Sequence, residues 1–145
     1  MFSKVLIANR GLIQANCVRA VQELGAQAIT IFEEEDRNSA GVRNADESYQ
    51  LKSTTSSRAY ADIDQIVDLA VQLKVDAVHS GYGFLAQNVE FTRRLRKHGI
   101  VAIAPELEGA ASLADRPFVK ERASRFGLKT LPGSTRCSDL DSVWR

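Results

Sequence analysis

Cysteine is scarce in this sequence, and long apolar runs are missing. The two cysteines, Cys17 and Cys137, lie near opposite ends of the 145-residue chain and belong to no CxxC pair. This spacing supports neither a disulfide framework nor a structural zinc site, and it favours a reducing compartment. The first apolar run, residues 5–8, is far shorter than a signal-peptide core or the roughly 20 residues of a membrane span. We therefore expect a cytoplasmic protein that has no membrane segment.

The chain also has no large excess of either positive or negative charge. Nineteen lysines and arginines stand against eighteen aspartates and glutamates, which leaves a net charge of +1. Proteins that bind nucleic acid concentrate positive charge against the phosphates, so nucleic acid is not an expected partner. Hydrophobic residues make up 44% of the chain and charged residues 26%, as in ordinary globular proteins. The chain is therefore expected to form one compact, water-soluble domain.

Short apolar runs alternate with segments of helical periodicity. The first unit comprises a strand over residues 4–8, a turn, a helix with apolar side chains from Ile13 to Leu24, and a second strand over residues 28–32. Gly25 stands where a left-handed helix cap is expected. Within neither strand do apolar and polar residues alternate, which is typical of strands that are covered on both faces.

The same alternation continues along the chain. Further strands are predicted over residues 48–51, 75–79 and 100–104, and further helices over residues 63–73, 88–98, 105–113 and 117–126. Asp62 or Asp64 is expected to cap the first of these helices, and Gly99 and Gly127 to end two of the others. Strands that alternate with helices predict right-handed crossovers between parallel strands. The expected fold class is therefore α/β, a Rossmann-like parallel β-sheet with helices on both faces.

In such a sheet, ligands bind beyond the carboxyl ends of the strands. Those ends lead here into Asn9, Arg10 and Gly11, into residues 33–36, into residues 79–83 and into Pro105. The first turn holds a single glycine instead of the G-x-G-x-x-G of dinucleotide sites, and the acidic run over residues 33–36 is read as a solvated charge run. An NAD-dependent oxidoreductase is thus disfavoured. The chain also lacks P-loop, G-x-S-x-G and H-E-x-x-H motifs.

The turn over residues 79–85 is the segment richest in chemistry. Gly81 and Gly83 allow the backbone to approach a ligand, while His79 and Tyr82 add an imidazole and a phenol at the same strand end. The alternative is a tight structural turn with a packed tyrosine and a hydrogen-bonded histidine. The residues alone leave both interpretations open.

Five motifs stand in the order and spacing of a known family. They are Lys-Val-Leu-Ile-Ala-Asn-Arg-Gly over residues 4–11, Ala-Asp-Glu over 45–47, Val-Asp-Ala-Val-His over 75–79, Gly-Tyr-Gly-Phe-Leu over 81–85 and Pro-Gly-Ser over 132–134. Together they resemble the amino-terminal domain of biotin carboxylase, which also opens acetyl-CoA, propionyl-CoA, methylcrotonyl-CoA and pyruvate carboxylases. The resemblance implies a pre-ATP-grasp domain over residues 1–131 and a linker toward an ATP-grasp domain over residues 132–145.

The resemblance also implies a reaction and its cofactors. In the complete enzyme, bicarbonate attacks MgATP to give carboxyphosphate, and the ureido nitrogen of carrier-linked biotin then captures the carbon dioxide. The expected partners are the ATP-grasp and carboxy-terminal domains of the same chain, a biotin carboxyl carrier protein or domain, and a carboxyltransferase component. Because the lid and the carboxy-terminal domain hold most catalytic groups, residues 1–145 alone are expected to be inactive. They are expected to contain no catalytic residue, no metal site and no tightly bound cofactor.

The resemblance implies roles for several residues. Tyr82 is expected to pack near biotin and Gly83 to offer backbone hydrogen bonds, with His79 as a support for the turn. Arg116 stands where the family has a lysine that reaches ATP phosphate. Arg19 and Glu23, four positions apart on the first helix, form either an exposed ion pair or, by resemblance, part of a homodimer interface.

Several positions depart from the family pattern. Leu12, Gln14 and Asn16 replace a glutamate, an alanine and an arginine. Ser80, Ala86 and Gln87 depart from the family's His-Pro-Gly-Tyr-Gly-Phe-Leu-Ser-Glu-Asn pattern, and Arg116 replaces the lysine. These changes leave a second hypothesis open, in which the chain is a noncatalytic relative that serves as a binding or assembly module. The sequence does not identify the acyl-CoA or keto acid that is finally carboxylated.

Overall fold

The computed structural model describes residues 1–52, 59–83, 85–104 and 115–132. The strands are β1 (Lys4–Ile7), β2 (Gln27–Phe32), β3 (Glu47–Gln50), β4 (Ala77–His79) and β5 (Val101–Ile103), and the helices are α1 (Gly11–Glu23), α2 (Ala40–Asn44), α3 (Ile63–Gln72), α4 (Val89–Lys97) and α5 (Arg116–Arg125). The strands form one parallel sheet in the order β3-β2-β1-β4-β5. The predicted α/β, Rossmann-like fold is confirmed.

Apolar side chains from the central strands lie on both faces of this sheet. On one face, Leu6 and Ile31 are fully buried in a cluster with side chains of α3 and α4, among them Phe91. On the other face, Ile7 belongs to a second cluster with Val18 of α1. The central strands are continuously apolar because both of their faces are covered.

Polar side chains fix the beginnings of helices. Asp62 caps α3 by accepting the Gln65 N–H at 3.0 Å, which decides between the two candidate caps. Asp64 instead forms an ion pair with Arg94. Asn88 caps α4 in the same way as Asp62 caps α3, by accepting the N–H of Phe91 at 3.0 Å.

Glycines and aspartates mark other boundaries. Gly25 and Gly99 follow α1 and α4 with φ angles of 78° and 72°, the left-handed conformation expected of C-terminal caps. Asp46, in the middle of the Ala-Asp-Glu motif, accepts the Ala28 N–H at 2.8 Å at the start of β2. Asp76 accepts the N–H groups of Ser3 and Lys4, and these two bonds lower the pKa of its carboxyl.

The segment after β2 is more ordered than a polar loop. Glu34–Asp36 forms a 3-10 turn, and Ser39 then caps the five-residue helix α2, which the sequence did not predict. The helix predicted over residues 105–113 and the linker residues 133–145 lie outside the described residues. Among the described helices, none combines the length and apolar character that crossing a bilayer requires.

Candidate functional site

The carboxyl ends of β1 and β4 border a cleft of about 300 Å³. Its lining comes from the turn after β1, from a 3-10 turn before α3 and from the turn after β4. The lining residues are Ala8, Asn9, Arg10, Tyr60, Ala61, Ser80, Tyr82 and Leu85. The cleft therefore lies at the edge of the sheet where open α/β folds place their ligands.

The turn after β4 presents an aromatic ring and open backbone. Gly81 and Gly83 have φ angles of 66° and 106°, which L side chains rarely adopt. Tyr82 between them is 72% exposed, so its ring is not packed into the core. Among the described residues, and apart from its own chain neighbours, a Cβ at Gly83 would meet no atom within 4 Å. The backbone at this point is open to an approaching ligand.

His79 stands at the start of this turn and folds back onto it. Its Nδ1 accepts the Gly81 N–H at 2.9 Å and lies 3.7 Å from the Sγ of Cys17. An Nδ1 that accepts a hydrogen bond is unprotonated, so the neutral ring carries its proton on Nε2. Burial lowers the pKa of His79 and stabilises this neutral form.

Cys17 of α1 packs against the second apolar cluster without being fully buried. Its side chain is half-buried and lies beside His79, at the margin of the α1 face of the sheet. Burial raises the pKa of the Cys17 thiol.

Asn9 and Gln14 connect the turns around the cleft. The Asn9 side chain donates to the Ser80 carbonyl at 2.7 Å, which joins the end of β1 to the end of β4. Gln14 is fully buried and donates to the Ile31 carbonyl at 2.7 Å, which joins α1 to β2. The sequence singled out Gln14 only as a departure from a family pattern.

The interpretation of residues 33–36 as a solvated charge run is wrong for two of its residues. Glu33 is buried, and its Oε1 accepts the Ala59 N–H at 3.2 Å. Asp36 receives hydrogen bonds from Arg10 at 2.9 Å and from the Tyr60 O–H at 2.7 Å. Two carboxylates of the run therefore anchor the segments that border the cleft.

Arg10 and Tyr60 also contact each other directly. The Arg10 guanidinium lies 5.3 Å from the centre of the Tyr60 ring, a cation–π geometry. Its hydrogen bond to Asp36 raises the pKa of Arg10, and burial raises that of Tyr60 well above its usual value. Tyr60 is thus a neutral hydrogen-bond donor. No local sequence signal pointed to Tyr60, because residues 10, 36 and 60 meet only once the strand order is known.

The remaining predicted site residues lie away from the cleft lining. Arg116 is exposed in the first turn of α5 and, with Lys120 and Thr130, lines a separate shallow groove of about 390 Å³. Arg19 and Glu23 form an ion pair of 3.0 Å, with side chains 68% and 62% exposed. Gly11 opens α1 with a φ of 63°.

The acidic and imidazole side chains of the described residues are too scattered to hold a metal ion. Within residues 1–52, 59–83, 85–104 and 115–132, no three His, Cys, Asp or Glu side chains converge on one point. Mg²⁺ needs several oxygen ligands in near-octahedral geometry. The described residues provide no such set, so they do not fit a Mg²⁺ site.

Comparison with known proteins shows which family this sequence resembles. The family model described as "Biotin carboxylase, N-terminal domain" matches residues 1–109. A pyruvate carboxylase subunit of Methanothermobacter thermautotrophicus is 36% identical over 146 residues, which cover 100% of this chain and 30% of that protein. The 2-oxoglutarate carboxylase small subunit of Hydrogenobacter thermophilus is 40% identical over 134 residues, covering 92% of this chain and 28% of that protein.

Solved structures agree with the sequence comparison. The biotin carboxylase domain dimer of the Hydrogenobacter thermophilus 2-oxoglutarate carboxylase, in complex with MgADP, ADP and bicarbonate, superimposes with a TM-score of 0.85 at 40% identity. The match covers 92% of this chain and 29% of that one. The chain therefore spans less than a third of the length of these relatives.

Proposed function

The chain belongs to the biotin carboxylase N-terminal domain family, and from this premise we propose that it forms one wall of the active site of an ATP-dependent biotin carboxylase. The domain extends over residues 1–131, and residues 132–145 lead toward an ATP-grasp domain. Biotin, when bound, supplies the ureido nitrogen that accepts the carboxyl group. The other cofactors are ATP and Mg²⁺, and the Mg²⁺ ligands come from outside the described residues.

The observation that carries this proposal is the combination of an exposed ring and open backbone after β4. Tyr82 is 72% exposed, and no atom of the described residues beyond the chain neighbours lies within 4 Å of a Cβ placed at Gly83. The bicyclic ring of biotin has an apolar body and a planar ureido group. An aromatic face and free main-chain approach fit a ligand of this kind. Tyr82 packs against the biotin ring, and Gly83 offers its main-chain groups for hydrogen bonds.

His79 supports this wall and carries no proton in the reaction. Its Nδ1 is occupied by the Gly81 N–H at 2.9 Å, and burial keeps the ring neutral by lowering its pKa. Nδ1 is therefore not available as a base, and loss of the proton on Nε2 would leave an imidazolate, which is not formed near neutral pH. The role of His79 is therefore to hold the turn.

Arg116 is proposed to bind ATP phosphate in the place of the family's lysine. It is exposed in the first turn of α5, on the same groove as Lys120. A guanidinium can pair with phosphate oxygens through two parallel N–H bonds, whereas a lysine acts as a point charge. The substitution therefore preserves the charge while it changes the geometry of the contact.

The protein is proposed to act in the cytoplasm with a biotin carboxyl carrier protein or domain and a carboxyltransferase component. A second copy of the chain is a further proposed partner, since the 2-oxoglutarate carboxylase relative forms a biotin carboxylase domain dimer. Arg19 lines an apolar hollow of about 670 Å³ on the α1 face of the sheet, together with Phe2 and Leu24. This hollow and the adjoining Arg19–Glu23 pair suit a protein interface better than bulk water.

A noncatalytic binding or assembly module is the second candidate. It is favoured by the positions where this chain departs from the family pattern. Leu12 is 83% exposed in the first turn of α1, where the family has a glutamate, and Asn16 replaces an arginine on an exposed part of the same helix. Gln87 and Arg116 are the further altered positions.

Purified full-length endogenous protein separates the two candidates. Its mass is determined first, and bicarbonate-dependent ATP hydrolysis is then measured with and without free biotin. Biotin-stimulated hydrolysis that is lost in Tyr82→Ala, but retained in the exposed-site control Leu12→Ala, supports the proposed carboxylase. Residues 1–145 alone are expected to show no such hydrolysis. A folded endogenous protein without biotin-dependent turnover would favour the module.

A further inference from the structure

The side chain of Asn9 lies across the turn that follows β4. Its Nδ2 donates to the carbonyls of Ser80 at 2.7 Å and Tyr82 at 3.0 Å, and its Oδ1 accepts the Arg10 N–H at 2.9 Å. Both amide protons of the side chain are thereby used. Exchange of the amide N and O would set an oxygen against two carbonyl oxygens, so the hydrogen bonds fix the orientation of the group.

Asn9 also fills the space beneath Gly81. A Cβ at this glycine would overlap Asn9 Nδ2 and would lie 2.9 Å from the Ile13 Cγ2. The φ of Gly81 is 66°, a conformation that glycine adopts freely. The turn therefore depends on a residue without a side chain at position 81 and on an amide directly below it.

Asn9 is held in turn by Gln14. The Gln14 Nε2 donates to the Asn9 carbonyl at 2.8 Å and to the Ile31 carbonyl at 2.7 Å, and the side chain is fully buried. Removal of a partner from a buried polar group costs its full desolvation penalty. The backbone of Asn9 is thus tied to the end of β2 while its side chain is tied to the turn after β4.

These contacts decide which way the peptide groups of the turn face. The Tyr82 carbonyl points toward Asn9, and no cis peptide bond occurs among the described residues. In a trans peptide the N–H points opposite to the carbonyl. The N–H of Gly83 is therefore directed away from Asn9. Without Asn9, these peptide planes could rotate, because Gly81 and Gly83 have no Cβ and therefore have many backbone conformations available.

We propose that Asn9 is a positioning residue for biotin binding, because it orients the Tyr82–Gly83 peptide so that the Gly83 N–H faces the ligand. The inference rests on the proposed function, since it assigns a further residue to the same site. The side-chain amide of Asn9 is used within the turn, because it is hydrogen-bonded to Ser80, Tyr82 and the Arg10 N–H. It acts through the direction of one peptide group, so its loss weakens biotin binding far more than it weakens ATP binding.

Asn9→Asp is the sharpest test. Aspartate keeps the size of the side chain and the acceptor for the Arg10 N–H, but it cannot donate to Ser80 and Tyr82. In the full-length protein, the KM for free biotin is expected to rise about tenfold, the effect of losing hydrogen bonds to the turn. The KM for ATP is expected to change by less than about twofold. Asn38→Asp, at an exposed asparagine before α2, is the matched control and leaves both values unchanged.

A second measurement needs no activity. In residues 1–145, the Gly81 amide donates to His79 Nδ1, so its hydrogen exchange reports whether the turn is held. Asn9→Asp and the uncharged variant Asn9→Ala are both expected to accelerate this exchange about tenfold relative to Asn38→Asp. Unchanged exchange in both Asn9 variants overturns the proposal.

The kinetic outcomes separate this proposal from the function on which it rests. An active protein in which Asn9→Asp leaves the biotin KM unchanged overturns the role of Asn9 and leaves the carboxylase function standing. A wild-type protein that never turns over biotin overturns the carboxylase function, and the role of Asn9 at biotin falls with it. A selective rise in the biotin KM, with faster exchange at Gly81, supports both.

Discussion

The Nδ1 of His79 accepts the Gly81 N–H at 2.9 Å, so the neutral imidazole is part of the turn after β4. Protonation of Nδ1 would convert this acceptor into a donor and break the bond. Burial lowers the folded-state pKa of His79 below 6.5. The stability contributed by neutral His79 is therefore present above pH 6.5 and is lost as the pH falls through the folded-state pKa.

The first prediction concerns this pH dependence. His79→Asn offers an acceptor oxygen in place of Nδ1 without a titrating ring. The free energy of unfolding of the wild type is expected to fall more than that of His79→Asn between about pH 7.5 and about pH 5. Urea denaturation at each pH measures the difference. The chain has a second histidine, His98, which is exposed, and His98→Asn serves as the matched control. Parallel curves for wild type and His79→Asn would refute the link.

The second prediction concerns the contact between Gln14 and Gly41. A Cβ at Gly41 would lie 2.5 Å from Gln14 Oε1 and 2.8 Å from its Cγ, although Gly41 stands in helix α2 at an ordinary φ. Gly41→Ala alone is expected to destabilise the fold by about 1–3 kcal/mol, because the buried glutamine must move.

A double-mutant cycle isolates this contact. In the Gln14→Ala background the clash is gone, and alanine has the higher helix propensity. Gly41→Ala is then expected to be neutral or to stabilise by up to about 1 kcal/mol. Additive effects of the two substitutions on the free energy of unfolding would show that Gln14 and Gly41 are independent.

The contact between Gln14 and Gly41 belongs to a helix that could not be predicted from the sequence. Long elements such as α3 and β2 were predicted because their periodicity and caps are local signals. Helix α2 has five residues and begins at a weak Ser39 cap, and it packs on a side chain of α1 through Gly41. No local pattern contains that information, because it depends on tertiary packing.

The candidate site could be predicted from the sequence only in part. The carboxyl end of β4 follows from strand–helix alternation, so the position of Tyr82 beyond it was predicted. The side-chain contacts around the cleft could not be predicted, because Arg10, Asp36 and Tyr60 are far apart in the sequence. Glu33 was misread because a run of four acidic residues resembles a solvated surface, whereas its carboxylate accepts the buried Ala59 N–H.

The third prediction tests the hydrogen bonds of the Tyr60 hydroxyl. Its hydroxyl donates to Asp36 at 2.7 Å and accepts the Glu33 N–H at 3.1 Å. Tyr60→Phe keeps the ring over which Arg10 lies but leaves both partners without this bond. The free energy of unfolding is expected to fall by about 1–3 kcal/mol. Tyr82→Phe is the control, since that ring is 72% exposed and its substitution leaves stability unchanged. Equal stability of the two variants would contradict the role of Tyr60.

The fourth prediction concerns Arg116 and ATP in the full-length protein. If the guanidinium pairs with phosphate, Arg116→Ala raises the apparent KM for ATP by about tenfold or more, the effect of losing a charge-assisted hydrogen bond. Arg116→Lys restores part of the binding, because the charge remains while the paired N–H geometry is lost. Arg125→Ala, in the last turn of the same helix, is the control. An unchanged KM for ATP in Arg116→Ala would place the residue on the surface only.

The fifth prediction uses the open backbone at Gly83. In the full-length protein, Gly83→Val is expected to abolish biotin-dependent ATP hydrolysis, since a branched side chain would occupy the space that biotin approaches. Gly83→Ala, with a smaller side chain at the same φ of 106°, is expected to lose only part of the activity.

Backbone strain in the substituted residue could also reduce activity. A second glycine with a positive φ therefore serves as the matched control. Gly99 has a φ of 72°, and a Cβ there would likewise meet no atom of the described residues within 4 Å, its chain neighbours apart. Gly99→Val also places a branched side chain at a positive φ, after α4, and is expected to keep its biotin-dependent turnover. Circular dichroism verifies that each variant is folded. Full activity in folded Gly83→Val would mean that the turn has only an architectural role and that biotin binds elsewhere. Loss of activity in Gly83→Val alone, graded through Gly83→Ala, would instead identify the space before Gly83 as the path of the ligand.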